Sequence, residues 1–332
     1  MKTTSILPFA AATAAGLLMA GGIAKADVTL RYAHVGVEGE PQTRYAAEFA
    51  KLVGERTAGR VKIQVFPNSQ LGNLSEMVDG TKMGTIQMAH HDFASLGKIL
   101  NDMSVFNAPY IYRDAAHAVK ATQPSTSDVL QELNKQLIEK GGLRVLGSCY
   151  RGARQLSANF PVYSPADVKG KKIRAVPLKL WISMITGMGA IPTPVEITEL
   201  PTALATGLVV GQENPLSNIY AQKFHEVQSH IMMTAHMQSV LSVWVNEKAW
   251  QKIPEADRKI IEGVAVDMAA TSLAWEQKSE AEIKEKIKAA GTKFIEEKDG
   301  LKNDEFRKVV LKQVNQDFPE WTGYIERLQA IK

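Results

Sequence analysis

The chain reads as an α/β protein of two lobes built on mainly parallel sheets, with one strand exchanged between lobes and a long helix crossing both. Three observations predict this. Alternating apolar segments and amphipathic helical segments succeed one another, and strand–helix–strand order favours parallel sheets with right-handed crossovers. Without an N-terminal leader the chain keeps about 306 residues, more than one ordinary domain and suited to two. A helical run that begins near Pro254 meets its first plausible stop at Gly291. Such a helix extends about 50 Å, longer than one lobe.

The elements follow in order. Residues 1–26, MKTTSILPFAAATAAGLLMAGGIAKA, place Lys2 ahead of an apolar run that ends in Ala24-Lys25-Ala26. This is the pattern of a secretory signal with a small-x-small cleavage site. Pro8 and the many Ala, Gly and Thr residues suit removal better than spanning a bilayer. Strands are expected over 28–35, 61–65 and 86–89, around helices over 41–57 and 74–83. Residues 114–140 read as mostly helical, and 143–150 as a strand. The second lobe repeats the grammar, with strands over 172–176, 191–195 and 209–212 and helices over 177–188 and 199–206. A buried-type strand over 239–246 is expected to return to the first lobe. The division is then 27–151 with 240–279 for the first lobe and 152–239 with 280–332 for the second.

Composition excludes several functions. Removing Lys2 and Lys25 with the signal leaves 37 basic against 35 acidic residues. That balance argues against nucleic acid and against an anionic membrane, which both want a concentrated basic face. The single cysteine, Cys149, has no intramolecular partner and reads as a buried, inert thiol. No G-x-S-x-G or H-E-x-x-H motif occurs, so an enzyme is not expected. His90-His91-Asp92 invites a metal, but neighbours on a strand point to opposite faces and no third ligand has zinc-site spacing. Neither metal nor cofactor is expected.

The natural ligand site lies between the lobes, outside the carboxyl ends of the strands. Candidate segments are 35–42, 68–73, 90–93, 150–155, 174–181 and 212–214. Arg174 ends a strand, and a Gly-Gln-Glu-Asn-Pro turn follows about 40 residues on. A lone guanidinium in that setting suits a carboxylate, which its planar fork matches bidentately. Phe93, Tyr150 and Trp181 are candidate ligand walls, with the apolar core as the alternative for each.

Five segments carry a resemblance: FPNSQLGN (66–73), GARQLSAN (152–159), DVKGKKIRAVP (167–177), GAIPTPVEITELPTAL (189–204) and GLVVGQENPL (207–216). In this order the chain resembles the DctP-type solute-binding proteins of tripartite ATP-independent periplasmic (TRAP) transporters, over essentially all of its mature length. The resemblance implies a periplasmic binding protein fold and a periplasmic location. It implies that Arg174 pairs with a ligand carboxylate and that Arg154 is a second site arginine. For Arg154, bracing the hinge or pairing with Glu213 is the alternative. Asn214, Asp92 and Asn73 match polar contact positions. Ile197 stands where an aromatic wall residue falls in sialic-acid-binding relatives. The implied ligand is a small organic acid, with a sugar acid, hydroxy acid or C4-dicarboxylate favoured over an aromatic or branched keto acid. The implied partners are the TRAP membrane permease subunits, with the binding protein acting as a monomer. A sensor that presents ligand to a membrane receptor is the alternative.

Overall fold

Met1 and residues 28–332 are described in the computed structural model, so the expected secretory signal lies outside the described residues. The strands are β1 (Val28–Ala33), β2 (Val61–Phe66), β3 (Met88–Asp92), β4 (Leu143–Ala158), β5 (Lys172–Ala175), β6 (Ile191–Pro194), β7 (Gly211–Pro215), β8 (His230–Asn246) and β9 (Lys293–Ile295). They form one sheet in the order β2-β1-β3-β8-β4-β7-β5-β6, with β9 beside β8. The outer pairs are parallel, as βαβ order predicts. The central β8 and β4 run antiparallel to β3, to β7 and to each other.

Two strands differ from expectation. β4 continues to Ala158 instead of stopping near Tyr150, and β8 begins at His230 rather than near Ser239. Each therefore serves both lobes, and the exchange is reciprocal. The crossing segment of β4 is buried on both faces and that of β8 largely so, and polar residues there are partnered inside and do not signal a strand end. Both strands are irregular where they cross. The register of β4 against β8 shifts between Tyr150 and Ala153 and again between Arg154 and Leu156. Gly152 has φ +102° and Ala235 φ +42°, so the chain bends here.

The helix Glu255–Ala289 runs across both lobes, as expected. Its first half puts Ile261, Val264 and Met268 into an apolar cluster with Tyr45, Phe49 and Leu241. Its far end puts Ile287 into a separate cluster with Leu204, Ile219 and Phe224. The C-terminal helix Thr322–Ala330, expected with the second lobe, packs on first-lobe helices. Arg327 bridges Asp128 and Glu132, each at 2.7 Å, and Arg113 donates to the carbonyls of Gln329 and Ile331. The preceding helix, Asn303–Asp317, remains on the second lobe, and the turn Pro319–Trp321 carries the chain back. Among the described residues no helix is long and apolar enough to cross a membrane.

Candidate functional site

Arg151, Arg154 and Arg174 share one wall of the inter-lobe cleft with Asp92, Glu196 and Asn214. Arg174 arrives on β5, whose Ile173 and Ala175 enter the apolar core, leaving the arginine on the alternate face. It is 2% exposed, and its Nε donates to the Val195 carbonyl at 2.9 Å, which orients the fork. Among the described residues no carboxylate lies within ion-pair distance of it. Burial pulls its pKa down to about 10, partly offset by Glu213, so it remains charged at neutral pH.

Arg154 is fully buried and committed to Glu213. Its Nη2 donates to Glu213 Oε1 at 2.6 Å and to the Glu213 carbonyl at 2.7 Å, and its Nε donates to Oε2. Trp181 Nε1 donates to the same carboxylate at 2.8 Å, and His236 Nε2 lies 3.0 Å from it. Burial would raise the Glu213 pKa, but the Arg154 charge and the bonds from Arg154 and His236 outweigh it and hold it at about 2. The pairing of Arg154 with Glu213, one of the sequence alternatives, is the arrangement in the structure. β7 comes close enough for this because residue 211 is glycine. A Cβ there would sit 2.6 Å from the Ser157 carbonyl oxygen.

Arg151 lay within the flagged segment 150–155 but was not singled out there. Its Nη2 donates to Asp92 Oδ2 at 3.1 Å and its Nε to Ser239 Oγ at 2.8 Å. Asp92 Oδ1 is buried and has no hydrogen-bond partner among the described residues. His91 also lines the cleft, with Nδ1 3.3 Å from Asp92 Oδ2. Strict alternation put His91 and Asp92 on opposite faces, but β3 ends at Asp92, which starts the 3-10 turn Phe93–Lys98. Burial lowers the His91 pKa to about 4, leaving it neutral at pH 7.

The structure thus gathers Arg174, Arg154, Asn214 and Asp92 at one site, and leaves the other four candidates elsewhere. Asn214 donates from Nδ2 to Gln212 Oε1 at 2.6 Å, on a strand where a turn was expected. Asn73 caps the helix Leu74–Met83, with its side chain accepting from Glu76 N while Glu76 accepts from Asn73 N. Phe93 is fully buried against Phe106, with ring centroids 4.8 Å apart. Trp181 lies behind Arg154, holding Glu213. Tyr150 donates to Gln238 Oε1 at 2.7 Å in the bent segment. Gln42 and Glu196 also line the cleft. Gln42 lay within a flagged segment, whereas Glu196 follows β6, outside every one. Replacing Asn73 by alanine is expected to cost ~1 kcal/mol of stability, as loss of a helix cap does. Urea denaturation reads this, and a defect confined to ligand affinity would restore the ligand-contact role.

The profile of bacterial extracellular solute-binding protein, family 7 (DctP), matches residues 32–318. The C4-dicarboxylate-binding periplasmic protein DctP of Rhodobacter capsulatus is 31% identical over 324 residues, 97% of this chain and 95% of its own. The 2,3-diketo-L-gulonate-binding periplasmic protein YiaO of Escherichia coli is 33% identical over 294 residues, 86% of each chain. A TRAP periplasmic solute-binding protein from Ochrobacterium anthropi, solved with L-fuconate bound, superposes with a TM-score of 0.84 at 28% identity. The match covers 92% of this chain and 99% of that one. The chain belongs to this family, as a DctP-type TRAP periplasmic solute-binding protein.

Proposed function

We propose that the protein captures a small organic acid between its lobes in the periplasm and passes it unchanged to a TRAP membrane permease. Arg174 carries the reading. It is a buried cation in the cleft with no carboxylate within ion-pair distance among the described residues. A ligand carboxylate supplies the missing acceptor bidentately. Asn214 and Asp92 contact the rest of the ligand, and Arg154, held by Glu213 through Nε and Nη2, offers the ligand its remaining Nη1. The relatives named above bind a C4-dicarboxylate, a diketo sugar acid and a deoxy sugar acid, all carboxylates.

Closure is part of the mechanism. The inner cleft at Arg174 leaves about 20 Å³, room for about one water, and shares Leu74 and Glu196 with a larger pocket of about 390 Å³, so an acid seats on Arg174 once the lobes part. The bent segments of β4 and β8 are where such motion is easiest, and they carry Arg151 and Arg154 themselves. Closing over the acid excludes water and strengthens each charge-assisted bond. Cys149 is fully buried, and burial raises its thiol pKa.

A thermal-shift screen of organic acids against neutral sugars of similar size tests the reading. A ligand at 100 times its dissociation constant adds about 2.7 kcal/mol of stability, a shift of a few degrees. Acids are expected to raise Tm and neutral sugars to leave it unchanged. Equal shifts from both classes would overturn the proposal.

A further inference from the structure

Building on acid capture at Arg174, we propose that the cleft selects monoanionic hydroxy acids and rejects dianions, with the Arg151–Asp92 pair as the selecting element. The argument is a balance of buried charge. Arg154 is matched by Glu213 and Arg151 by Asp92, each pair buried and in contact. Arg174 is the remaining cation on this wall. Glu196, half-buried at the same cleft, interacts electrostatically with Arg174 and adds a further negative group. His91 is held neutral by burial and contributes no positive charge. Three arginines thus face three carboxylates, so the Arg174 fork can take one ligand carboxylate, and no cation without a counter-charge remains for a second.

The unpartnered atoms say what the rest of the ligand offers. Asp92 Oδ1 is a buried acceptor with no donor among the described residues, and Arg154 Nη1 is a buried donor with no acceptor there. An ionised carboxylate only accepts, so it demands an O–H or N–H from the ligand. A hydroxyl beside the carboxylate meets that demand. A second ligand carboxylate would face Asp92 or Glu196 instead, and like charges brought together in a dry cleft repel strongly. Selectivity of this kind comes from the repulsive element as much as from the attractive one. Ser239 Oγ on β8 accepts from Arg151 Nε and helps hold the guanidinium against Asp92.

Titration calorimetry on the mature chain, with sugar monoacids paired against diacids of the same carbon skeleton, tests this. Gluconate against glucarate and threonate against tartrate are suitable pairs, with succinate and malate added. Each monoacid that binds is expected to bind about tenfold or more tightly than its diacid. Asp92→Asn uncovers the Arg151 charge and is expected to narrow that ratio by about tenfold, whereas Arg151→Gln is expected to widen it. Diacids that bind as tightly as monoacids in the unmodified protein would overturn the inference, and so would a ratio that neither variant changes. If a variant fails to fold, the ratio in the unmodified protein decides alone. The acid-capture reading fails separately. If no acid binds, or if Arg174→Ala leaves acid binding intact, that reading falls and takes this inference with it. Equal binding of monoacids and diacids that both require Arg174 sinks the charge balance only.

Discussion

Arg174→Ala is expected to weaken binding of the acid ligand by about a hundredfold or more, read by titration calorimetry. The magnitude follows from what the fork does. Removing one partner of a buried, hydrogen-bonded ion pair costs about 3–5 kcal/mol, and each 1.4 kcal/mol is tenfold. The other two cleft arginines do not replace it, because Asp92 already neutralises Arg151 and Glu213 already neutralises Arg154, leaving Arg154 only one unpartnered nitrogen to offer. Arg174→Lys is expected to recover only part of the loss, since an ammonium brings the charge without the planar fork. It also lacks the Nε that donates to Val195 and sets the orientation. A loss below about fivefold on alanine substitution would mean the carboxylate is held elsewhere.

Glu213→Gln is expected to lower folding stability by about 3–5 kcal/mol, because it leaves a fully buried guanidinium without its counter-charge. Urea denaturation at neutral pH measures this, with the midpoint falling while the slope stays constant. The pH dependence has a definite sign. The folded protein holds Glu213 at about 2, below its ordinary value of 4.5. The unfolded chain therefore takes up the proton more readily, and acid favours unfolding. The contribution is complete above about pH 4.5 and is lost as pH falls through about 2, so the gap between the two proteins closes over that window. A variant as stable as the parent at pH 7 would show that the Arg154–Glu213 pair makes no net contribution to stability.

The site was partly legible in the sequence, and β4 shows where legibility stopped. A period of two places Tyr150 and Arg154 on one face and Arg151 on the other. The register shifts break that parity, so Arg151 joins Arg154 in the cleft while Tyr150 turns to Gln238. A one-residue irregularity reverses every facing assignment beyond it, and no local pattern in YRGARQ announces one except Gly152. Asn73 shows the opposite limit. Its polar side chain fitted a ligand contact, yet Asn-x-x-Glu before an apolar helix is also a capping signal, and the cap is where it sits.

The sequence by itself determined the succession of strands and helices, the helix too long for one lobe, and the arginine on β5. These follow from periodicity, chain length and side-chain chemistry, which are local properties. Only the tertiary structure decided that β4 and β8 are shared by both lobes and that the last helix returns to the first. It also decided that Glu213 and Asp92 each claim an arginine and leave Arg174 uncommitted. Those outcomes depend on which charges meet across a cleft between segments far apart in the chain. Burial makes such pairing decisive, because a charge removed from water must find its partner in space rather than along the chain.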